Sequence, residues 1–293
     1  MPTLAQVSRL SLKNILFPTD FSPASRATLP YAERLAQIYG STILIAHSVA
    51  PEARQTVVTD RYLGVEDREW QEARQKLDAL SHDPTLHDIP HKTLLDRGEV
   101  GDVMPAIIHE HEVDLVVLGT HGYRGISKMV MGSAAEQIYR TATCQVLTVG
   151  PKATEGNVWN LSTILCPIDA AEDPTPVLRF ALSLAEENQS ELILLQAIPM
   201  VPWQHRSAVE LQARLGIESL IPAQTKDWCS LRFVVRWEHP VEAILREAHE
   251  IHSDLIVMSV HKSRAAILAS HLPWPVASEV VSRAACPVLT VRV

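Results

Sequence analysis

The chain has 293 residues, 46% of them hydrophobic and 20% charged, which is globular composition at a length that suits two domains of about 150 residues each. Its 26 basic and 34 acidic side chains leave a formal net charge of −8, the wrong sign for a protein that holds nucleic acid through its phosphates. The four cysteines, Cys144, Cys166, Cys229 and Cys286, form no C-x-x-C pair and no metal-finger spacing, as expected of buried thiols in a reducing compartment.

The opening MPTLAQVSRLSLKN has neither the apolar stretch nor the small-residue cleavage site of a secretory leader. No window approaches the roughly 20 apolar residues that span a bilayer. The expectation is a cytoplasmic protein with no membrane or nucleic-acid partner. Short β-branched or leucine-rich runs at residues 14–17, 42–47, 92–95, 115–118 and 146–149 read as strands. Between the first two, a single helix is expected from Pro23 up to Gly40. Ser22 is a good N-cap, Pro23 suits the first helical position, and Ala24, Ala27, Tyr31, Leu35 and Ile38 mark one face. Residues 66–80, 100–111 and 133–141 read as further helices. Apolar strands separated by helices imply a parallel sheet covered on both sides.

The pattern then starts again. NILFPTD at 14–20 returns as TILCPID at 163–169, DLVVLGTH at 114–121 as DLIVMSVH at 254–261, and CQVLTV at 144–149 as CPVLTV at 286–291. Order is kept, so the chain is a duplication of a unit of about 140 residues. Thr175 and Pro176 open a helix in the second copy, faced by Val177, Phe180, Ala181 and Leu184. The fold class is therefore α/β: two tandem repeats of a five-stranded, doubly wound, parallel-sheet domain, over residues 1–151 and 152–293, with the polar stretch 150–162 as linker.

Open parallel sheets bind ligands at the carboxyl ends of their strands, where the crossover direction reverses. In the first copy those ends carry Asp20, His47 with Ser48, Arg97 with Gly98, and Gly119. Gly119 opens GTHGYRGISKMVMGS, in which Gly119, Gly122, Gly132 and Ser133 are spaced G-x2-G-x9-G-S. A glycine at a strand end leaves room for a ligand against the backbone, and Gly132 with Ser133 falls at a helix start, where amides and dipole favour a phosphate. Arg124 and Lys128 between them offer positive charge.

Pro18, Thr19 and Asp20 after the first strand, the glycine spacing after the fourth, and the final C-x-V-L-T-V strand resemble the universal stress protein family in its tandem two-domain form. The resemblance implies a Rossmann-like, adenine-nucleotide α-hydrolase-like fold that binds ATP or another adenine nucleotide. Carried over residue by residue, Asp20 would meet the adenosine end and the Ser48 backbone would lie by the base. Gly119, Gly122, Gly132 and Ser133 would hold the ribose and phosphates, with Pro18, Thr19, Gly98, Thr120, His121 and Arg124 completing the site. Mg²⁺ would accompany the triphosphate, whose charges need neutralising. The family's last strand pairs two units, so residues 145–149 and 287–292 are expected to join the two halves within one chain. A further homodimer and an unidentified protein partner are also compatible with it.

The second copy departs from this pattern. Gly119 becomes Ser259, Gly122 becomes Lys262, Gly98 becomes Glu238, and Gly132 with Ser133 falls near Pro275 and Val276; only Asp169 is retained. Nucleotide is expected in the first half alone, with the second a degenerate partner. A slow ATPase or phosphotransferase is the alternative, although no G-x4-G-K-[ST] loop is present; a ligand-free scaffold is a third. His121 recurs as His261 in the copy without the glycines, which favours a structural role over a general base. His82, His87 and His91 flank a proline-containing loop without metal-ligand spacing. His109, His111, His249 and His252 read as a solvated face, and the five tryptophans beyond residue 150 as packing.

Overall fold

The computed structural model describes residues 10–50, 61–120, 131–155, 159–169, 172–198, 203–223, 225, 229–260 and 275–292. His121, Gly122 and Arg124, together with Lys128, His261 and Lys262, lie outside the described residues. There are two compact units: a first, Ser11–Leu147, and a second that runs from Thr148 and also takes in Leu10, whose amide donates to Ser183 Oγ at 3.0 Å.

The first unit runs β1 (Asn14–Pro18), α1 (Pro23–Arg26), α2 (Leu29–Tyr39), β2 (Thr42–Val49), α3 (Arg61–Ser81), β3 (His91–Arg97), α4 (Val100–Glu110), β4 (Leu115–Gly119), α5 (Ser133–Thr141) and β5 (Gln145–Val149), the last of which reaches past the unit's boundary. The strand order is β3-β2-β1-β4-β5. β1 pairs in parallel with β2 (Ile15 beside Ile43) and with β4 (Ile15 beside Leu115), so the winding reverses between β1 and β4. Ile15, Leu16, Phe17, Ile43 and Ile45 are fully buried there, as a strand covered by helices on both faces requires. β3, with the sequence HKTLLDR, is partly exposed throughout, a polar edge that discourages pairing with another chain.

One expectation fails in an instructive way. The helix after β1 is not continuous: it stops at Arg26 and resumes at Leu29. Pro30 has no amide to give the carbonyl four residues back, and its ring crowds that turn. Thr28 covers the break, its hydroxyl donating to the Ser25 carbonyl at 2.8 Å. Gly40 then ends α2 in the left-handed region, at φ +66°.

The second unit repeats the order: β6 (Thr163–Pro167), α6 (Thr175–Asn188), β7 (Glu191–Ala197), α7 (Trp203–Glu218), β8 (Ser230–Arg236), α8 (Pro240–Glu250), β9 (Leu255–Val260), α9 (Pro275–Arg283) and β10 (Val288–Arg292). Its strands lie in the order β10-β9-β6-β7-β8. All four residues expected on the inner face of its first helix, Val177, Phe180, Ala181 and Leu184, are buried. The duplication extends to hydrogen bonds. Asp114 Oδ2 accepts from the amides of Lys13 and Asn14 (2.6 and 3.0 Å), and Asp254 Oδ2 from those of Ser162 and Thr163 (both 2.9 Å). Each aspartate ties the entry of its unit's fourth strand to the entry of the first.

A second correspondence is inverted. The guanidinium of Arg97, at the end of β3, lies 5.0 Å from the ring centre of Trp70 on α3. In the second unit the register places Trp237 in Arg97's position, and Arg206 of α7 lies over it at 5.2 Å. The cation–π contact is kept with its partners exchanged.

Candidate functional site

The end of β1 is fixed by short-range hydrogen bonds. The Thr19 amide donates to the Ala46 carbonyl (2.9 Å). Thr19 Oγ1 accepts from the Phe21 amide (3.0 Å) and from Ser25 Oγ (2.9 Å). Asp20 Oδ1 accepts from the Ser22 amide at 3.0 Å, and Ser22 Oγ caps α1 by accepting from the Ser25 amide. Pro18 and Thr19 are buried while Asp20 is exposed, so the turn lifts one carboxylate to the mouth of the sheet and holds it by an Asx-type bond. Phe21 completes the turn at φ +61°.

β2 contributes His47, whose Nδ1 lies 2.7 Å from the Thr19 carbonyl oxygen. Its ring centre is 4.5 Å from that of Phe21, inclined at 42°, and Lys76 Nζ sits 5.6 Å from the other ring of that pair, Phe21. Burial pushes the His47 pKa below its ordinary value, against the pull of the Thr19 carbonyl and the Asp20 charge. The Nδ1–H therefore donates to Thr19, and His47 braces the turn that carries Asp20. Ser48, next along the strand, is half-buried and faces the opposite side of the sheet.

The glycines divide by what they do. Gly98 has φ +146°, its amide donates to the Val49 carbonyl (3.0 Å), and a Cβ would stand 2.9 Å from Val103 Cγ2; the backbone alone demands glycine there. At Gly119 a Cβ would meet Thr28 Cγ2 at 3.1 Å and the Ala24 carbonyl oxygen at 3.3 Å. The missing side chain thus admits the chain's own α1 and the break after it. Gly132 is extended (φ −60°, ψ 151°) and precedes α5 without a side-chain cap. Its amide donates to the carbonyl of buried Thr120 at 2.7 Å, which draws the start of α5 to the end of β4. Ser133 is the exposed first residue of that helix. Glu136 in the same turn pairs with Arg140 at 2.7 Å.

β1 and β4 being neighbours, Asp20 and the Thr120–Gly132 junction stand at the same end of adjacent strands, with Ser48 at the end of β2 and Gly98 beyond β3. Sequence reasoning missed His47 as a brace. The signal was the pair of aromatic rings, Phe21 and His47, at two neighbouring strand ends.

The three histidines around the loop before β3 are satisfied locally. His82 Nδ1 lies 2.7 Å from the Asp78 carbonyl, His87 Nδ1 lies 3.0 Å from Asp88, and His91 reaches the Ile89 and Ser81 carbonyls (2.8 and 3.0 Å). Among the described residues no group of three or more metal-ligating side chains converges.

The corresponding end of the second unit carries ion pairs. Glu238, in the place of Gly98, pairs with Arg246 at 3.0 Å. Both terminal nitrogens of Arg283 donate to the Glu242 carboxylate in the first turn of α8 (2.9 and 3.2 Å). Pro275 opens α9 without an amide to offer. Asp169 is exposed and Ser259 half-buried.

Both units match the model of the universal stress protein family, over residues 11–150 and 160–292, and the chain belongs to that family. A universal stress protein A homologue of Coxiella burnetii is 31% identical over 144 residues, 48% of this chain and 97% of the relative. A universal stress protein of Methanocaldococcus jannaschii is 22% identical over 157 residues, again 48% of this chain and 96% of the relative. The crystal structure of a universal stress protein from Archaeoglobus fulgidus shares the fold over 97% of this chain and 99% of its own, with a TM-score of 0.67 at 16% identity. The chain thus carries two such domains in tandem, over residues 11–150 and 160–292. No helix among the described residues is long and apolar enough to cross a membrane.

Proposed function

We propose that the first unit binds an adenine nucleotide, ATP with Mg²⁺, and that the chain is a cytoplasmic, nucleotide-dependent regulatory module. The observation that carries this reading is the hydrogen bond from the Gly132 amide to the Thr120 carbonyl. It sets the first turn of α5 beside the switch point between β1 and β4, where Asp20 stands ready to accept from a ribose or base. Pro18 and Thr19 shape that turn, Gly98 and Ser48 form the neighbouring strand ends, and His121, Gly122 and Arg124 supply the segment between Gly119 and Gly132. Mg²⁺ is held chiefly by the phosphates, with protein oxygens of this end as secondary ligands.

The second unit is a degenerate partner. Carboxylates paired to arginines occupy the region around the start of α8, and a proline replaces an amide donor at the start of α9. Nucleotide occupancy of the first unit biases association with a second copy or another protein.

Calorimetric titration of the full chain with Mg·ATP tests the reading. It predicts one site per chain, abolished by Gly132→Asp and weakened about tenfold or more by Asp20→Ala. Two sites would reinstate the second unit as a nucleotide binder, and no heat at all would leave the scaffold reading. Phosphate release, followed in the same samples, separates binding from slow hydrolysis.

A further inference from the structure

Among the described residues of the second unit, Gln196 and Arg206 each hold a sheltered polar atom without a hydrogen-bond partner. Gln196, at the end of β7, is only 7% exposed, and its Oε1 is buried without a hydrogen-bond partner. Nε of Arg206, on α7, is buried and unpartnered in the same way. Such atoms are uncommon in folded proteins, because a buried donor or acceptor without a partner is unfavourable. The other arginines around this end of the sheet are satisfied: Arg236 pairs with Glu247 and Glu250, and Arg246 with Glu238. Among the described residues Arg206 meets no carboxylate, and the Trp237 ring lies 5.2 Å from its guanidinium.

These residues lie together. Gln196 is in register with Val235, and the Ile198 amide donates to the Arg236 carbonyl at 2.8 Å, so β7 and β8 stay paired up to Trp237. Alternation puts Gln196, Val235 and Trp237 on one face of the sheet, the face over which α7 brings Arg206. Ala197, the counterpart of Ser48, faces the other way. The place is therefore distinct from the side of the sheet on which Ser48 lies in the first unit.

The first unit shows what this place normally contains. His47 holds the position of Gln196, with its Nδ1 on a carbonyl and the Phe21 ring against it at 4.5 Å. In the second copy the residue aligned with Phe21 is Ala170, which has no ring, and the histidine has become an amide. The second copy therefore has no ring at that position of its sequence, and among the described residues an unbonded amide lies near a tryptophan that faces an arginine.

We propose that this part of the second unit binds a small aromatic hydroxy acid of the hydroxybenzoate type. The ring packs beside Trp237. The carboxylate accepts from Arg206, whose planar fork suits it. The phenolic hydroxyl, donor and acceptor at once, serves the buried end of the Gln196 amide whichever of its atoms lies there. The proposal does not depend on nucleotide binding in the first unit.

The probe is 4-hydroxybenzoate, titrated into the full chain and followed by tryptophan fluorescence and calorimetry. One saturable site is expected, weakened at least tenfold by Arg206→Met and several-fold by Gln196→Leu. Benzoate, which lacks the hydroxyl, is expected to bind the wild-type chain as weakly as 4-hydroxybenzoate binds Gln196→Leu, and to lose nothing further in that variant. Should Arg206→Met not fold, judged by circular dichroism, Arg206→Lys keeps the charge without Nε and is expected to weaken binding as well. No saturable binding up to about 10 mM, or binding unchanged in both the arginine and glutamine variants, overturns the proposal.

Discussion

His47 holds Thr19 by its carbonyl oxygen, 2.7 Å from Nδ1, and so connects the end of β2 to the turn bearing Asp20. Because burial keeps the His47 pKa below its ordinary value, the unfolded chain takes up this proton first as pH falls. Stability is then complete above the unfolded pKa of about 6.5 and declines as pH drops from there through the lower folded value. His47→Gln, which can still donate to Thr19 and does not titrate, is expected to lose less stability between pH 7.5 and 5.5. Urea midpoints of the two chains at both pH values decide this; equal losses would mean that His47 does not contribute to the pH response.

Gly98 and Gly40 both have positive φ but differ in surroundings. At Gly98 a Cβ would stand 2.9 Å from Val103, whereas Gly40 has nothing within 4 Å. Gly98→Ala is expected to destabilise by about 2–4 kcal/mol and Gly40→Ala by about 1 kcal/mol, strain being joined by a clash only at the first. Chemical denaturation gives the ranking, and a reversed order would show that Val103 yields freely.

Gly119→Ala is expected to cost about 1–3 kcal/mol, since the new methyl presses on Thr28 Cγ2 and on the Ala24 carbonyl. Thr28→Ser removes the crowded methyl and keeps the hydroxyl that bonds to Ser25. In the Gly119→Ala background it should return part of the loss, which a double-mutant cycle measures. Additive effects would place the strain elsewhere.

Glu33 is buried on α2 and accepts a hydrogen bond from Thr85 Oγ1. Desolvation raises its pKa, with the Thr85 bond opposing. A carboxyl whose folded pKa is raised stabilises fully below its unfolded value, near 4.3 to 4.5, and loses that contribution as pH rises through the folded one. Glu33→Gln, with an acceptor oxygen and no charge, is expected to be more stable than the wild type at pH 8 and to lose that advantage near pH 4. A thermal midpoint series from pH 4 to 8 reads the crossover.

The strands were legible from composition because each central one is buried on both faces: Ile15–Phe17 and the run Leu115–Leu118 contain hardly a polar side chain. The duplication made the topology readable, since two copies of one βα order leave few ways to wind a sheet. The break between α1 and α2 was also written in the sequence, at Pro30, but the spacing of Tyr31, Leu35 and Ile38 concealed it. Periodicity registers which face is apolar and ignores a missing amide. At the site, the start of α5 at Ser133 could be placed from Gly132. The reason for Gly119 could not, because the atoms it makes room for belong to Ala24 and Thr28, about ninety residues earlier in the chain. His47 was hidden for the same reason: its partner Thr19 becomes a neighbour only when β1 and β2 pair.

The exchanged contact, Arg97 on Trp70 in one unit and Trp237 on Arg206 in the other, bears on how the two halves can evolve. Tandem copies are exposed to gene conversion, which overwrites one with the other. Copying α3 into the second unit without β3 would set a tryptophan against Trp237; the reverse transfer would set an arginine against Arg97. Each partial exchange breaks a pair that each intact unit satisfies, so the inversion penalises homogenisation of the repeats. It leaves the second unit free to diverge on its own.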